Sequence, residues 1–245
     1  MAEYDNRVRS WGAADAAAID VGLRAYMLRV YNYMLMGLAL TGLTAWFTSL
    51  DTPFRSLFFQ FTAQGYTMSP LGWVVLLAPL GLVFFLSFRI QRMSFGAAQA
   101  TFWAYAGLMG IGLTPILLLY TGASVAQVFF ITAATFGAMS LYGYTTKRDL
   151  SAFGSFLFMG LIGIIIASLV NMFMQSSMMQ WVISVVGVLI FTGLTAYDTQ
   201  SIKESYYVGD DGTIAGKKAL MGALRLYLDF VNLFLMLLRL MGDRR

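Results

Sequence analysis

The chain reads as an all-α, polytopic membrane protein, a bundle of seven transmembrane helices. Three observations predict this. Hydrophobic residues make up 59% of 245 and charged residues only 11%; an average soluble domain is about 45–50% apolar and about 25% charged. Mean hydropathy is +0.71. The charges that do occur punctuate long apolar runs. So little charge could not cover the surface of a soluble globule, which excludes an ordinary cytosolic enzyme, a disordered chain and a nucleic-acid module. Aromatics at 16% and 24 glycines fit a membrane setting, since Trp and Tyr gather at interfaces and Gly is frequent in spanning helices.

A span needs about 20 apolar residues. Arg29 and Asp51 bracket 21 uncharged residues, which predicts a first span over 30–50. Between Arg55 and Arg89, residues 56–70 are polar-aromatic and 71–88 form the second span. Arg92 and Lys147 bracket 54 uncharged residues, two spans (95–119 and 125–145) broken at Tyr120–Ser124, just after Pro115. Asp149 and Asp198 bracket 48, again two spans (152–174 and 179–198), broken at Gln175–Gln180. The seventh run, 219–241, is apolar but carries Arg225, Asp229 and Arg239. A charge at the bilayer centre costs about 2.5–3.5 kcal/mol, so this segment is expected to be enclosed by other helices. Residues 203–218, with Gly209 to Gly212, read as an exposed loop.

Residues 1–29 read as a cytoplasmic N-terminal segment, and 30–245 as a single bundle. The segment holds four Arg and four acids, which is not the pattern of a cleavable signal. Ile19, Leu23 and Tyr26 are spaced for one face of a short interfacial helix over 15–29. Lys and Arg number 11 on the side of residues 1–29, 89–94, 146–151 and 199–219, against Arg55 alone in the opposite loops. By the positive-inside rule the N-terminus is cytoplasmic. Seven full spans then place Arg244 and Arg245 outside; a re-entrant seventh segment would return them to the inside.

The absence of His and Cys excludes structural zinc, thiol chemistry and imidazole acid–base catalysis. A pH response near neutrality must come from carboxylates. Of the twelve acids, only Asp198 and Asp229 fall inside or at the edge of an apolar helix. If the two approach within a few ångström they cannot both stay ionised, and they titrate as a coupled pair. Such a pair also offers oxygen ligands to Ca²⁺. The plainer alternatives are that Asp198 is a solvated helix-end residue bonded to Thr199, Gln200 or loop amides, and that Asp229 pairs with Arg225 one turn away on the stripe that also carries Asn232. Arg89 and Arg92 end the second span, where snorkelling to headgroups is the common role; Arg89 is also a candidate counter-ion. Asn171, Gln175, Thr192 and Thr195 read as interhelical hydrogen bonders. Gly107, Gly110, Gly112, Gly160 and Gly163 read as close-packing positions, and the many Met as filler.

Phe191-Thr-Gly-Leu-Thr-Ala-Tyr-Asp-Thr-Gln-Ser-Ile-Lys203 and Ala223-Leu-Arg-Leu-Tyr-Leu-Asp-Phe-Val-Asn-Leu-Phe-Leu235 resemble the two C-terminal signatures of the Bax inhibitor-1 (transmembrane Bax inhibitor motif) family. The resemblance extends over about residues 20–242. It implies a seven-helix fold with the last helix at the centre. It also implies a pH-sensitive Ca²⁺ leak gated by two aspartates, which match Asp198 and Asp229. An arginine on the second helix latches the pair in a bacterial member; Arg89 is the candidate, with Arg92 and Arg225 as the other cations in reach. Thr199, Asn232 and Asn171 are the polar neighbours expected around the pair. The loop from Ser205 to Gly216 looks longer than the family's.

The expected function is therefore a Ca²⁺-permeable leak channel of a bacterial inner membrane, with no cofactor, with the lipid bilayer and Ca²⁺ as partners, and with no nucleic acid. The alternative is a non-conducting regulator or scaffold that binds other membrane proteins, such as a membrane protease system. An intramembrane aspartyl protease is a third reading, because two intramembrane Asp resemble such a dyad in kind; the sequence expectation is that the chain is not an enzyme.

Overall fold

The computed structural model describes residues 2–62 and 65–245, with side chains over 21–60 and 67–245. It is built from α1 (Ala2–Ser49), α2 (Pro53–Phe58), the strands β1 (Phe59–Thr62) and β2 (Gly65–Met68), and α3 (Pro70–Arg89). After a 3₁₀ turn (Ile90–Arg92) come α4 (Phe95–Leu119), α5 (Gly122–Thr145), α6 (Ser151–Met174), α7 (Ser177–Glu204) and α8 (Gly212–Met241). Among the described residues, six helices are long and apolar enough to cross a membrane: α3 with its turn to Arg92, and α4 to α8.

Side chains that satisfy first-turn amides set most helix starts. Ser69, Ser94, Thr121, Ser176 and Asp211 accept from the backbone N–H three residues on, at 2.7–3.3 Å. Pro53 and Pro70 occupy first-turn positions, where the missing N–H costs nothing. α6 ends where Gln175 turns left-handed (φ 51°); its N–H bonds to Asn171 O, and Asn171 Oδ1 accepts from Ser176 N at 3.0 Å.

The N-terminal segment does not form a separate interfacial helix. α1 runs unbroken through Arg29, because nothing between residues 2 and 49 stops it: there is no Pro, and the Ala-rich stretch favours helix. The side chain of Ile19 lies outside the described residues. Leu23 is half-buried, and Tyr26 is buried against Tyr206, ring centroids 5.5 Å apart, with its hydroxyl 3.1 Å from Ser205 Oγ. This face is therefore committed to the bundle, not to a lipid surface. Residues 56–70, expected as a polar-aromatic link, contain the end of α2 and a small antiparallel hairpin pairing Phe59 with Met68.

The core has two parts. One joins α1, α4 and α8 around Val30, Phe102, Tyr105 and Tyr227. The other joins α5, α7 and α8 around Val128, Ile190, Leu233 and Leu238. α8 contributes to both and packs against α1, α4, α5 and α7. Two-thirds of its apolar stretch (67%) is buried, against 17–44% in the other five helices. Outward faces carry large apolar side chains, such as Phe158, Met159, Ile166 and Phe173 on α6. A surface of this kind is tenable only against lipid tails. Gly110 lies against Thr41 and Thr44, and Gly160 against Ile190, whereas a Cβ added at Gly107, Gly112 or Gly163 would meet nothing from another element within 4 Å; those three do not mark close helix contacts.

The two ends of the bundle differ. One gathers Tyr26, Gln91, Ser205 and Lys217, with Lys217 Nζ 3.5 Å from Gln91 O. At the other, the tail after α8 pairs with the α4–α5 turn: Thr121 N donates to Asp243 O (3.0 Å) and Arg245 N to Leu119 O (2.9 Å). α8 therefore traverses the bundle from the first end to the second as one continuous helix, without the break a re-entrant element requires.

Candidate functional site: a carboxyl pair in a cavity between three helices

The motif around Asp198 lies on the most enclosed stretch of α7. Gly193, Leu194, Thr195 and Ala196 are all buried. Small residues make this possible: the carbonyl of Ala196 meets Gly143 of α5, and Tyr197 lies against Gly154 of α6, where a Cβ would collide with the ring. α8 comes equally close from the other side, with Gly222 against Ile202 and Gly187 against Met236. Packing this tight on three sides fixes the rotation of α7 and sends Asp198 toward α8.

There it meets Asp229. The two carboxyls are within side-chain hydrogen-bonding range of each other, and that bond exists only while one of them holds a proton. Asp229 is 5% exposed, and its Oδ2 is buried with no hydrogen-bond partner among the described residues. Asp198 is half-buried. Both line a cavity of about 970 Å³ between α6, α7 and α8.

Arg225 is the cation beside the pair. It lines the same cavity, and its charge acts on both carboxyls. It forms no ion pair with Asp229; the ion pairs among the described residues join Arg55 to Asp51 and Lys218 to Asp210. The simple Arg225–Asp229 tie considered from spacing is therefore absent. Arg89 and Arg92 are exposed at the end of α3 and in the following turn, and neither lines the cavity.

The other expected neighbours divide. Asn232 lines the cavity, with its Nδ2 turned back to Leu228 O at 2.9 Å. Thr199 faces the opposite way: it donates to Thr195 O (2.7 Å) and lies 3.0 Å from Ser140 Oγ on α5. Gln200 also turns away, holding Leu150 N and Arg148 O at 2.8 Å. One residue is 100° of helical rotation, which turns Thr199 and Gln200, one and two positions on, away from the cavity. Neither serves Asp198 as a helix-end partner. Asn171 belongs to the far end of α6, where it closes that helix, and not to the carboxyl pair. Arg239 was not among the expected site residues, yet it lines the cavity. The signal for it was legible: residues 225, 229, 232, 236 and 239 recur at intervals of four and three, a single seam along α8.

Among the described residues no three His, Cys, Asp or Glu come together as a metal cluster. What the pair offers is four carboxyl oxygens lining one cavity.

A helical bundle that exposes apolar flanks and brings two carboxyls together in one cavity defines an integral membrane protein with an intramembrane acidic site. The profile of the family described as "Inhibitor of apoptosis-promoting Bax1" matches residues 23–245, and the chain belongs to this Bax inhibitor-1 family. It is similar to an uncharacterised protein of Rickettsia prowazekii, 49% identical over 92% of both chains. It is also similar to the inner membrane protein YbhL of Escherichia coli (strain K12), 47% identical over 91% of this chain and 94% of the relative. An uncharacterised membrane protein of Streptococcus pyogenes is 40% identical over 91% and 94%.

Proposed function

We propose that the protein is a pH-sensitive, Ca²⁺-permeable leak channel whose gate is the Asp198–Asp229 pair. The observation that carries this reading is the carboxyl–carboxyl contact in a cavity within the membrane-spanning bundle. Intramembrane ionisable groups mark ion pathways far more often than they serve packing. Loss of the shared proton removes the bond and leaves two like charges in contact, which biases α7 and α8 apart. The ionised pair, with the side-chain oxygen of Asn232, supplies the oxygen ligands that Ca²⁺ prefers. Arg225 is the latch cation in this reading, since it already faces both carboxyls. The protein catalyses no covalent reaction and needs no cofactor. The scaffold function and protease binding remain the alternative.

Seven crossings complete the proposal. Residues 30–49 of α1 supply the seventh: they run beside α4 and α8 and turn Leu43, Trp46 and Phe47 outward. α8 is then the central helix. The basic end of the bundle faces the cytoplasm, the N-terminus with it, in an inner membrane like that of the Escherichia coli relative.

The test is Ca²⁺ flux into liposomes holding the purified full chain, measured across pH. Asp198→Asn and Asp229→Asn each flatten the pH profile, and the double variant adds little to either, since the two act as one unit. Wild-type pH profiles in both single variants, or no flux from folded wild-type protein, would overturn the channel and favour the scaffold.

A further inference from the structure

The cavity does not end at the carboxyl pair. Along α8 it continues past Asn232 and Met236 to Arg239, about 15 Å beyond Asp229 at 1.5 Å per residue. There it merges with a second space of about 360 Å³, with which it shares Ser168, Met172 and Arg239, and which Asn171, Gln175 and Gln180 also line. The two ends differ in chemistry. Around Arg239 the lining is mostly polar, with Met172 and Ile183 as its apolar members, and includes no acid. Arg239 has no ion pair or hydrogen bond to protein among the described residues, and it stands two positions before the end of α8. Between that end and the carboxyl pair the α6 wall is mostly apolar, with Ile164, Ile165, Leu169 and Met172 around the one hydroxyl of Ser168.

We propose that this groove between α6 and α8 is a binding site for one anionic glycerophospholipid. Its phosphodiester sits on Arg239 and the side-chain amides of Asn171 and Gln180, and one acyl chain runs inward along Ile165 and Leu169. Charge and depth select the occupant. A guanidinium near a helix end lies where lipid phosphates lie, and its planar donor fork matches phosphate oxygens. The Asn171 amide is available for this, because its Oδ1 is already engaged by Ser176 N and its Nδ2 remains to donate. Apolar lining begins directly beneath the polar cluster, the order of head and tail in a lipid. A spanning helix of a partner would meet bulky Leu169 and Met172 on either side of Ser168 here, not the run of small residues that lets helices approach. The larger cavity falls within the usual range for small-molecule sites, about 300–1,000 Å³. This inference needs the membrane setting but not the channel, and it stands whether or not the protein conducts.

The experiment uses the purified full chain in a mild non-ionic detergent. Native mass spectrometry counts retained lipid, and thermal unfolding is followed as lipid is added. The probes are phosphatidylglycerol, phosphatidylcholine with the same chains, and glycerol phosphate as the free headgroup. Wild type retains one phosphatidylglycerol per chain and its Tm rises with that lipid, because a ligand that binds only the folded state stabilises it. Arg239→Gln weakens retention about tenfold or more, the loss expected of one charge-assisted contact, and Arg239→Lys recovers part of it. Leu169→Trp fills the groove and abolishes retention with Arg239 intact. Unchanged retention in both Arg239→Gln and Leu169→Trp overturns the site. Equal retention of phosphatidylcholine overturns the role of charge, and an equal Tm rise with glycerol phosphate overturns the acyl-chain groove. Both variants replace residues that are exposed in the bundle, so their unliganded Tm stays near wild type.

Discussion

Gly143 of α5 rests directly on the carbonyl of Ala196 in α7, closer than any side chain would permit. Two residues further along α7 is Asp198. The contact therefore sets the depth at which the Asp198 carboxyl is held, and it makes a backbone atom of α7 part of the α5 surface.

Gly143→Ala is expected to destabilise the folded chain by about 1–3 kcal/mol, the usual cost of forcing extra volume into a packed contact. A carbonyl cannot swing aside as a long side chain can. A Cβ added at Gly137 on the same helix would meet nothing within 4 Å, so Gly137→Ala is expected to be neutral or to gain up to about 1 kcal/mol from helix propensity. Thermal unfolding of both variants in detergent checks the pair; equal effects would show that the contact carries no weight.

A second tie joins α1, α4 and α8. Tyr227 OH lies 2.7 Å from Thr41 Oγ1, and Thr41 Oγ1 reaches Ala106 O at 2.8 Å and Gly37 O at 2.9 Å. A hydroxyl has one proton to give, so Tyr227 donates to Thr41 and Thr41 donates to a carbonyl. Tyr227→Phe is expected to cost about 0.5–1.5 kcal/mol. Thr41→Val is expected to cost about 1–3 kcal/mol, since it leaves the buried Tyr227 hydroxyl without its acceptor. The double variant should cost less than the sum; strict additivity in unfolding experiments would separate the two residues.

At the loop before α6, the hydroxyl and the backbone N–H of Ser151 hold the Asp149 carboxyl below its ordinary 3.8. A carboxyl lowered in the folded state adds stability above its unfolded value and loses it as pH falls through the lowered one. Protection of the Ser151 amide from hydrogen exchange is therefore expected to be constant from neutral pH down to about 4 and to fall below it. Asp149→Asn should remove that acid step. An unaltered step in the variant would assign it to another group.

Much of this was legible in the sequence, for identifiable reasons. Apolar runs between charges marked the long helices from α3 to α8, because a bilayer imposes both their length and their composition. Asp198 and Asp229 stood out because an intramembrane acid is rare. What sequence could not supply was rotation. Thr199 and Gln200 directly follow Asp198 in the chain, one and two positions on, yet face α5 and the loop before α6, while Arg239, ten residues from Asp229, shares its cavity. Nor could it supply the distance between helices distant in sequence, which keeps Arg89 out of the cavity and brings Asp198 to Arg225 and Asp229. The charged segment before residue 30 misled for another reason: charge predicts where a chain meets water, not where a helix stops.

α8 also imposes an order on synthesis. Each helix it packs against, α1, α4, α5 and α7, precedes it in the chain. A ribosome therefore delivers those four before the helix that fills the space between them exists. Until then their inner faces, with Phe102, Tyr105 and Val128, have lipid or one another for company. α8 carries Arg225, Asp229 and Arg239 and is the costliest of the long helices to place in lipid alone. Its insertion is favoured only once neighbours stand ready to receive it. The site at Asp229 is thus assembled last, in a single docking event that joins both halves of the core. Before that event Asp198 has no carboxyl opposite it.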